Sequence, residues 1–384
     1  MKMMRPMKLA GSQLLFGEGC LEHIRTLEYK RVTIVLGGSS MQKSGMLKKV
    51  KGLFEENGAV VSVIEGVEPD PTFATVLRGA KDMQDAEPDL IVALGGGSVM
   101  DAAKTMWIYY ENPELQKLEE VLPPNPFPKL RTKAHFCCIP STAGTASEVS
   151  RSVVISDNET GMKHGIGNME MMPDIAICDP EVTVSMPPRI TAETGMDALT
   201  HAIEALVSTR ANYIGDILAG RAALDIMEYL PQAYENGQNL AVREKMLNAS
   251  MAAGIAFTNV SLGIVHSMAH TLGGFFHVPH GLGDAMLLPY IIRFNSQDER
   301  AEKIYNELAQ KAGGENLADM IAKLNEQLHI PACFHEIIED EEKYNSLIAV
   351  MAKTAMEDGC TKTNPVIPSL EQFIELFKKA YKGE

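Results

Sequence analysis

Apolar positions recur with two different periods along this chain, and the change of period divides it. In the first half, short aliphatic runs at 32–36, 60–64 and 89–94 are separated by stretches with one apolar face, at 46–56 and 72–86. The first pattern is that of strands, the second that of amphipathic helices. The run at 89–94 is nearly continuous, ends in Gly95-Gly96-Gly97 and leads into a helical segment, which suits a strand buried on both faces of a parallel sheet. Further strands are expected at 135–139, 153–156 and 174–178. Strands alternating with helices imply an open, mostly parallel α/β sheet.

From Arg189 onward helical periodicity takes over, at 192–208, 214–229, 241–257, 284–293, 300–312, 316–328 and 369–381, and β-rich alternation nearly vanishes. Met186-Pro187-Pro188 lies at the switch. The expected organisation is an α/β domain over 1–186 followed by an all-helical domain over 187–384. Two domains also fit 384 residues, more than one hydrophobic core usually serves. Pro123 and Pro128 bound a proline-rich segment expected to be a surface loop.

The formal net charge of −15 disfavours nucleic acid and anionic membrane as partners. An anionic ligand would then be held by local devices, such as a helix N-terminus or a placed lysine. The opening at 1–8 is basic, but no sustained apolar segment follows it, and no stretch approaches the ~18 apolar residues of a membrane span. No signal peptide or anchor is expected, and a cytoplasmic location is. The six cysteines include no CxxC pair and are read as reduced core residues. Cys137 and Cys138, adjacent on a strand, should point to opposite faces.

Three turns carry phosphate-binding potential. Gly95-Gly96-Gly97-Ser98 follows a strand and opens a helix, whose free N–H groups and positive dipole end suit a diphosphate. Its glycines would permit positive φ and close backbone approach. The pattern is not GxGxxG, and the plain alternative is a tight strand-to-helix turn. Residues 140–148 form a second small-residue turn, in which Thr145 and Glu148 also have the spacing of a capping box. The third is Gly37-Gly38-Ser39-Ser40, after the first of the strands just named. It lacks the carboxylate that would select the ribose hydroxyls of NAD, and this favours NADP(H) over NAD(H).

The second half carries a metal-ligating pattern. Asp197 and His201 are four apart on a helix and share a face. His266 and His270 repeat that spacing, and His277 and His280 follow. A lone helical histidine is usually structural. Five of the ten histidines, clustered between 201 and 280 beside an Asp, point instead to a borderline cation such as Fe²⁺, Zn²⁺, Co²⁺ or Mn²⁺. Spacing alone leaves open which of His266, His270, His277 and His280 bind.

The segments GGGSVMDAAK (95–104), PSTAGTASEVS (140–150), GMDALTHAIEA (195–205) and GIVHSMAHTLGGFFHVPHG (263–281), in this order and spacing, resemble the iron-containing (group III) alcohol dehydrogenases over nearly the whole chain. The resemblance implies a dehydroquinate synthase-like fold, a dinucleotide-binding α/β domain followed by an all-helical metal domain. It implies Asp197, His201, His266 and His280 as ligands of Fe²⁺ or another divalent metal. It further implies His270 as a proton-relay group, and leaves His277 a site-wall or second-shell role.

For the cofactor it implies Gly96, Gly97 and Ser98 at the diphosphate, Asp101 on the nicotinamide side of the following helix, and contacts from Thr142, Thr145 and Lys163. Gly38 stands where several NAD-selective relatives carry Asp; Asp70 and Ser152 stand where some carry Asn. The implied reaction is hydride transfer between NAD(P)(H) and a small alcohol or aldehyde, in a homodimer or higher homo-oligomer. The alternatives are a zinc-dependent polyol dehydrogenase or dehydroquinate synthase-like lyase of the same fold, and a non-catalytic NAD(P)- and metal-binding protein.

Overall fold

A computed structural model describes residues 6–158 and 163–384, so residues 1–5 of the basic opening lie outside the described residues. The chain divides into two compact units, Met1–Met186 and Pro187–Glu384.

Unit 1 is built on a parallel sheet of six strands in the order β1-β8-β5-β4-β2-β3. These are β1 (Gln13–Phe16), β2 (Arg31–Val35), β3 (Val60–Ile64), β4 (Leu90–Gly95), β5 (His135–Pro140) and β8 (Ile175–Cys178). The helices are α1 (Ser40–Lys43), α2 (Met46–Glu56), α3 (Phe73–Ala86) and α4 (Gly97–Glu111). Every residue of β4 is buried, as its unbroken apolar run requires. One core layer holds Val35, Ile91, Ala93, Phe136 and Cys138, and the other holds Ile34, Val92, Leu94 and Cys137. Successive side chains on a strand alternate faces, so the two cysteines lie on opposite sides of the sheet. Cys178 is also buried, whereas Cys20, Cys333 and Cys360 are only half-buried and do not fit the expectation of core thiols.

The expected strand near 153–156 exists as β6 (Ser152–Ser156), but it does not join the parallel sheet. It forms a separate antiparallel hairpin with β7 (Lys163–Gly167). The reason is in its burial. Val153 and Ile155 are buried while Ser152, Val154 and Ser156 are not, which suits a ribbon covered on one face.

Unit 2 contains no strand among its described residues. Its helices are α5 (Pro188–Val207), α6 (Tyr213–Glu235), α7 (Leu240–Val260), α8 (Ile264–Phe276), α9 (His280–Asn295), α10 (Glu299–Lys311), α11 (Leu317–Gln327), α12 (Glu341–Glu357) and α13 (Leu370–Lys382). Asn212, Asn239, Asp298, Asn316 and Asp340 each accept a first-turn N–H of the helix they precede. Helix α5 is central, packing against α6, α7 and α9, and nearly all of it is buried. No single helix among the described residues is long and apolar enough to cross a membrane.

Candidate metal centre and dinucleotide site

The metal motif falls on three helices of unit 2. Helix α5 carries Asp197 and His201, α8 carries His266 and His270, and α9 opens at His280. Gly281 lets α9 lie close to α5, since a Cβ there would stand 2.2 Å from the Glu193 carbonyl oxygen. His280 is thereby set opposite Asp197. Oδ1 of Asp197 is 3.4 Å from His201 Nε2, 3.7 Å from His266 Nε2 and 3.9 Å from His280 Nε2. His201 is stacked between Phe257 and His266, with ring centroids 4.3 and 4.6 Å away.

Ligand atoms of Asp197, His266, His280 and Asp284 all lie within 4.8 Å of one another. Asp197 Oδ1, His266 Nε2 and both Asp284 oxygens are buried without a hydrogen-bond partner. Leaving such atoms unpaired is costly. Donors placed tetrahedrally ~2.1 Å from a cation would be about 3.4 Å apart, and the nitrogen–oxygen pairs here run from 3.3 to 3.9 Å. The donor set fits a divalent cation of the iron or zinc type. Burial by itself would raise the Asp197 carboxyl, but His201, His266 and His280 hold it well below the usual carboxylate range.

The imidazoles are held from behind. Glu204, one turn beyond His201, approaches His266 Nδ1 at 2.7 Å and accepts the Val265 N–H at 2.7 Å. With Nδ1 occupied, Nε2 is turned to the cluster. His270 stacks on His280, with centroids 5.3 Å apart, and its Nδ1 lies 2.8 Å from Asp358 Oδ2. Burial would raise Asp358, but the hydrogen bond and charge of His270 and the Cys360 contacts pull it down to about 2. Asp358 is fixed by the segment 358–364. Its Oδ1 accepts the Cys360 N–H at 2.7 Å, Thr361 meets Ser267 of α8, and Asn364 accepts the Ile264 N–H. His277 ends α8 in a left-handed conformation, φ 56°, and is exposed, which sets it apart from the buried donors.

In unit 1, strand order reverses between β2 and β4, the place where open α/β sheets bind ligands beyond their carboxyl ends. Gly37-Gly38-Ser39-Ser40 follows β2, Gly96-Gly97-Ser98 follows β4, and the Thr142 and Thr145 turn follows β5. The glycines of the central turn are not in positive φ. They are required by close approach: a Cβ on Gly97 would stand 2.6 Å from Thr145 Cγ2, and one on Gly96 3.2 Å from Thr142 Cγ2. Gly96 caps α4 without a side-chain bond, and the Thr142 hydroxyl is buried and unpaired beside it. Free N–H groups and an orphan hydroxyl suit a diphosphate.

The capping box at Thr145 and Glu148 does not form. The turn passes through left-handed Ala146 into a single 3-10 turn (Ser147–Val149) with no side-chain cap. Asp101 is half-buried, and its oxygens accept from Ser147 Oγ at 2.8 Å and Val154 N at 2.9 Å. Lys163 Nζ pairs with Asp70 Oδ1 at 2.7 Å, while Ser152 is exposed opposite Gly167. Glu148 is buried, and burial pushes its carboxyl up to about 7 from 4.5, against a backbone hydrogen bond and the charge of Lys104. The folded state therefore holds its proton more tightly than the unfolded chain, and stability falls as pH rises from 4.5 to about 7. Glu148→Gln should raise the melting temperature at pH 8 but not at pH 4.5. An equal gain at both pH values in calorimetry would sink this account.

Two family models divide the chain: iron-containing alcohol dehydrogenase over residues 11–180 and the Fe-containing alcohol dehydrogenase family, C-terminal, over 191–381. The chain belongs to the iron-containing alcohol dehydrogenase family. It is 42% identical over 378 residues, 96% of each chain, to the NADPH-dependent butanol dehydrogenase of Clostridium saccharobutylicum. It is 36% identical to a 1-propanol dehydrogenase of Citrobacter freundii, covering 96% of this chain and 98% of that one. An iron-containing alcohol dehydrogenase from Thermococcus thioreducens superposes with a TM-score of 0.91 at 34% identity, covering 98% of this chain and 99% of that one.

Three functional candidates escaped the sequence reading. Glu204 carried a visible signal, lying three residues after His201 in the same motif. Asp284 did too, four residues after His280. Asp358 had a weaker one, the polar run from Asp358 to Asn364 between two helices.

Proposed function

We propose that this alcohol dehydrogenase reduces small aldehydes, and oxidises the matching alcohols, with NAD(P)(H) and a divalent iron-type metal. The observation that carries the reading is the convergence of unpaired buried donors from α5, α8 and α9. Asp197, His201, His266 and His280 would hold the cation. Bound there, it supplies Lewis acidity toward a substrate oxygen, while the nicotinamide supplies the hydride.

The chain's own groups do the rest. Glu204 keeps Nε2 of His266 directed at the site. His270 carries the proton that the product oxygen needs when an aldehyde is reduced, and gives it up from Nε2 because Nδ1 is bound to Asp358. In unit 1 the turn at 95–98 and the start of α4 bind the diphosphate, with the Thr142 hydroxyl. Lys163, whose charge is shared with Asp70 at 2.7 Å, would present N–H donors to the cofactor.

Anaerobic reconstitution with Fe²⁺ or Zn²⁺ tests this. NADPH or NADH oxidation should follow with short-chain aldehydes, lactaldehyde, 3-hydroxypropanal or succinic semialdehyde. Bound metal with no turnover across that panel would refute it.

The exposed turn after β2 supports a preference for NADP(H), as does the name of the butanol dehydrogenase relative. A Cβ on Gly38 meets nothing within 4 Å, so Gly38→Asp is sterically free. It would set a carboxylate against the 2′-phosphate. We expect kcat/KM for NADPH to fall about 10-fold or more, a penalty of ~1.4 kcal/mol, which is modest for two like charges. NADH should be unaffected or improved. Equal losses with both cofactors would contradict the assignment.

A further inference from the structure

We propose that Asp284 is a direct metal ligand, giving this centre a second carboxylate beyond Asp197, His201, His266 and His280. The inference rests on the metal reading above and extends it. Asp284 stands one turn after His280 on α9, so the two share a face. Its Oδ2 is 3.3 Å from His280 Nε2 and 3.9 Å from His266 Nε2. These spacings are similar to those of Asp197 Oδ1, 3.7 Å to His266 Nε2 and 3.9 Å to His280 Nε2. The side chain has no exposed surface, and neither oxygen has a hydrogen-bond partner.

A buried carboxylate with both oxygens unpaired is among the most expensive groups a protein can carry. Its ion-pair neighbours are the same two imidazoles whose Nε2 atoms face the cluster. Those imidazole nitrogens stand 3.9 and 3.3 Å from Asp284 Oδ2 without making a hydrogen bond to it, so the pairing they offer leaves the carboxylate unsatisfied. A shared cation resolves every one of these orphan atoms together. Close packing at Gly281 fixes the start of α9 against α5 and with it the backbone that carries Asp284.

The chemistry follows from the donor count. Two carboxylates neutralise a divalent ion instead of leaving it one net positive charge. They also add a hard oxygen donor and raise the coordination number. Both changes favour Mn²⁺ and Fe²⁺ relative to Zn²⁺, which is content with four donors.

The test uses the full chain, stripped by chelator and titrated anaerobically with Mn²⁺ and with Zn²⁺ against a chromophoric competitor. Asp284→Asn should weaken Mn²⁺ binding about 100-fold, the upper end of losses seen when supporting groups are removed. Zn²⁺ should weaken less. The Co²⁺-substituted variant should show the stronger visible absorption of a lower coordination number.

Unchanged Mn²⁺ affinity together with an unchanged Co²⁺ spectrum would overturn the proposal while leaving the metal centre intact. Wild type that binds neither ion would overturn both. Should Asp284→Asn fail to fold, a crystal of Mn²⁺-loaded wild type decides. An Asp284 oxygen bonded to the ion supports the proposal, and one reaching it only through water defeats it.

Discussion

His266→Ala is expected to purify folded but without bound metal, having lost on the order of 10³-fold or more in kcat/KM for aldehyde reduction. The size follows from the task. A metal acting as Lewis acid contributes several kcal/mol of charge stabilisation, and each ~1.4 kcal/mol is tenfold in rate. His266 is the ligand whose loss should matter most. It is 2% exposed, its Nε2 is buried and unpaired, and it is braced from behind by a carboxylate, Glu204. The fold should survive, because Glu204 keeps the Val265 N–H and the helix packing is otherwise untouched. Metal analysis, circular dichroism and steady-state kinetics on one preparation separate these effects. A metal-free His266→Ala protein with full activity would end the metal reading.

How much of this was legible in the sequence depends on what kind of signal each element leaves. The sheet core was readable because β4 and β5 are buried on both faces and leave unbroken apolar runs. The hairpin was not. β7 reads Lys-His-Gly-Ile-Gly, with Ile166 its one buried side chain, so its sequence carries almost no strand pattern. Helix α12 was passed over although Tyr344, Ile348, Met351 and Ala355 lie on one face, because lysines and glutamates dilute that stripe. The cluster around Asp197 is readable in part because i,i+4 spacing places side chains on one face of a helix. Its partners were harder. The pairing of His270 with Asp358 joins residues 88 apart, and no local period reports such a contact. At the glycine turn the expectation of positive φ does not hold, while that of close approach does. Contact with Thr142 and Thr145 forbids a Cβ there, and positive φ plays no part. The capping box failed for a related reason, since Ala146 turns left-handed before any helix can start.

His270→Ala should keep its metal yet slow turnover by about 10² to 10³-fold, the range that a placed acid or base usually contributes. Asp358→Asn is expected to reproduce part of that loss with the metal still bound. The carboxylate accepts from Nδ1 at 2.8 Å and so fixes which ring nitrogen is left for the substrate side. An amide in its place no longer dictates the tautomer, because it can donate as readily as accept. Asp358 is half-exposed and touches no metal ligand directly, which makes it a positioning residue. The decisive measurement is the double variant. If Asp358 acts only through His270, then Asp358→Asn in the His270→Ala background costs nothing further in kcat. A merely structural role for Asp358 would instead give additive losses and a lower melting temperature in both backgrounds. Loss of metal on changing His270 would move that histidine from proton carrier to ligand, and the division of labour between His270 and His280 would have to be redrawn.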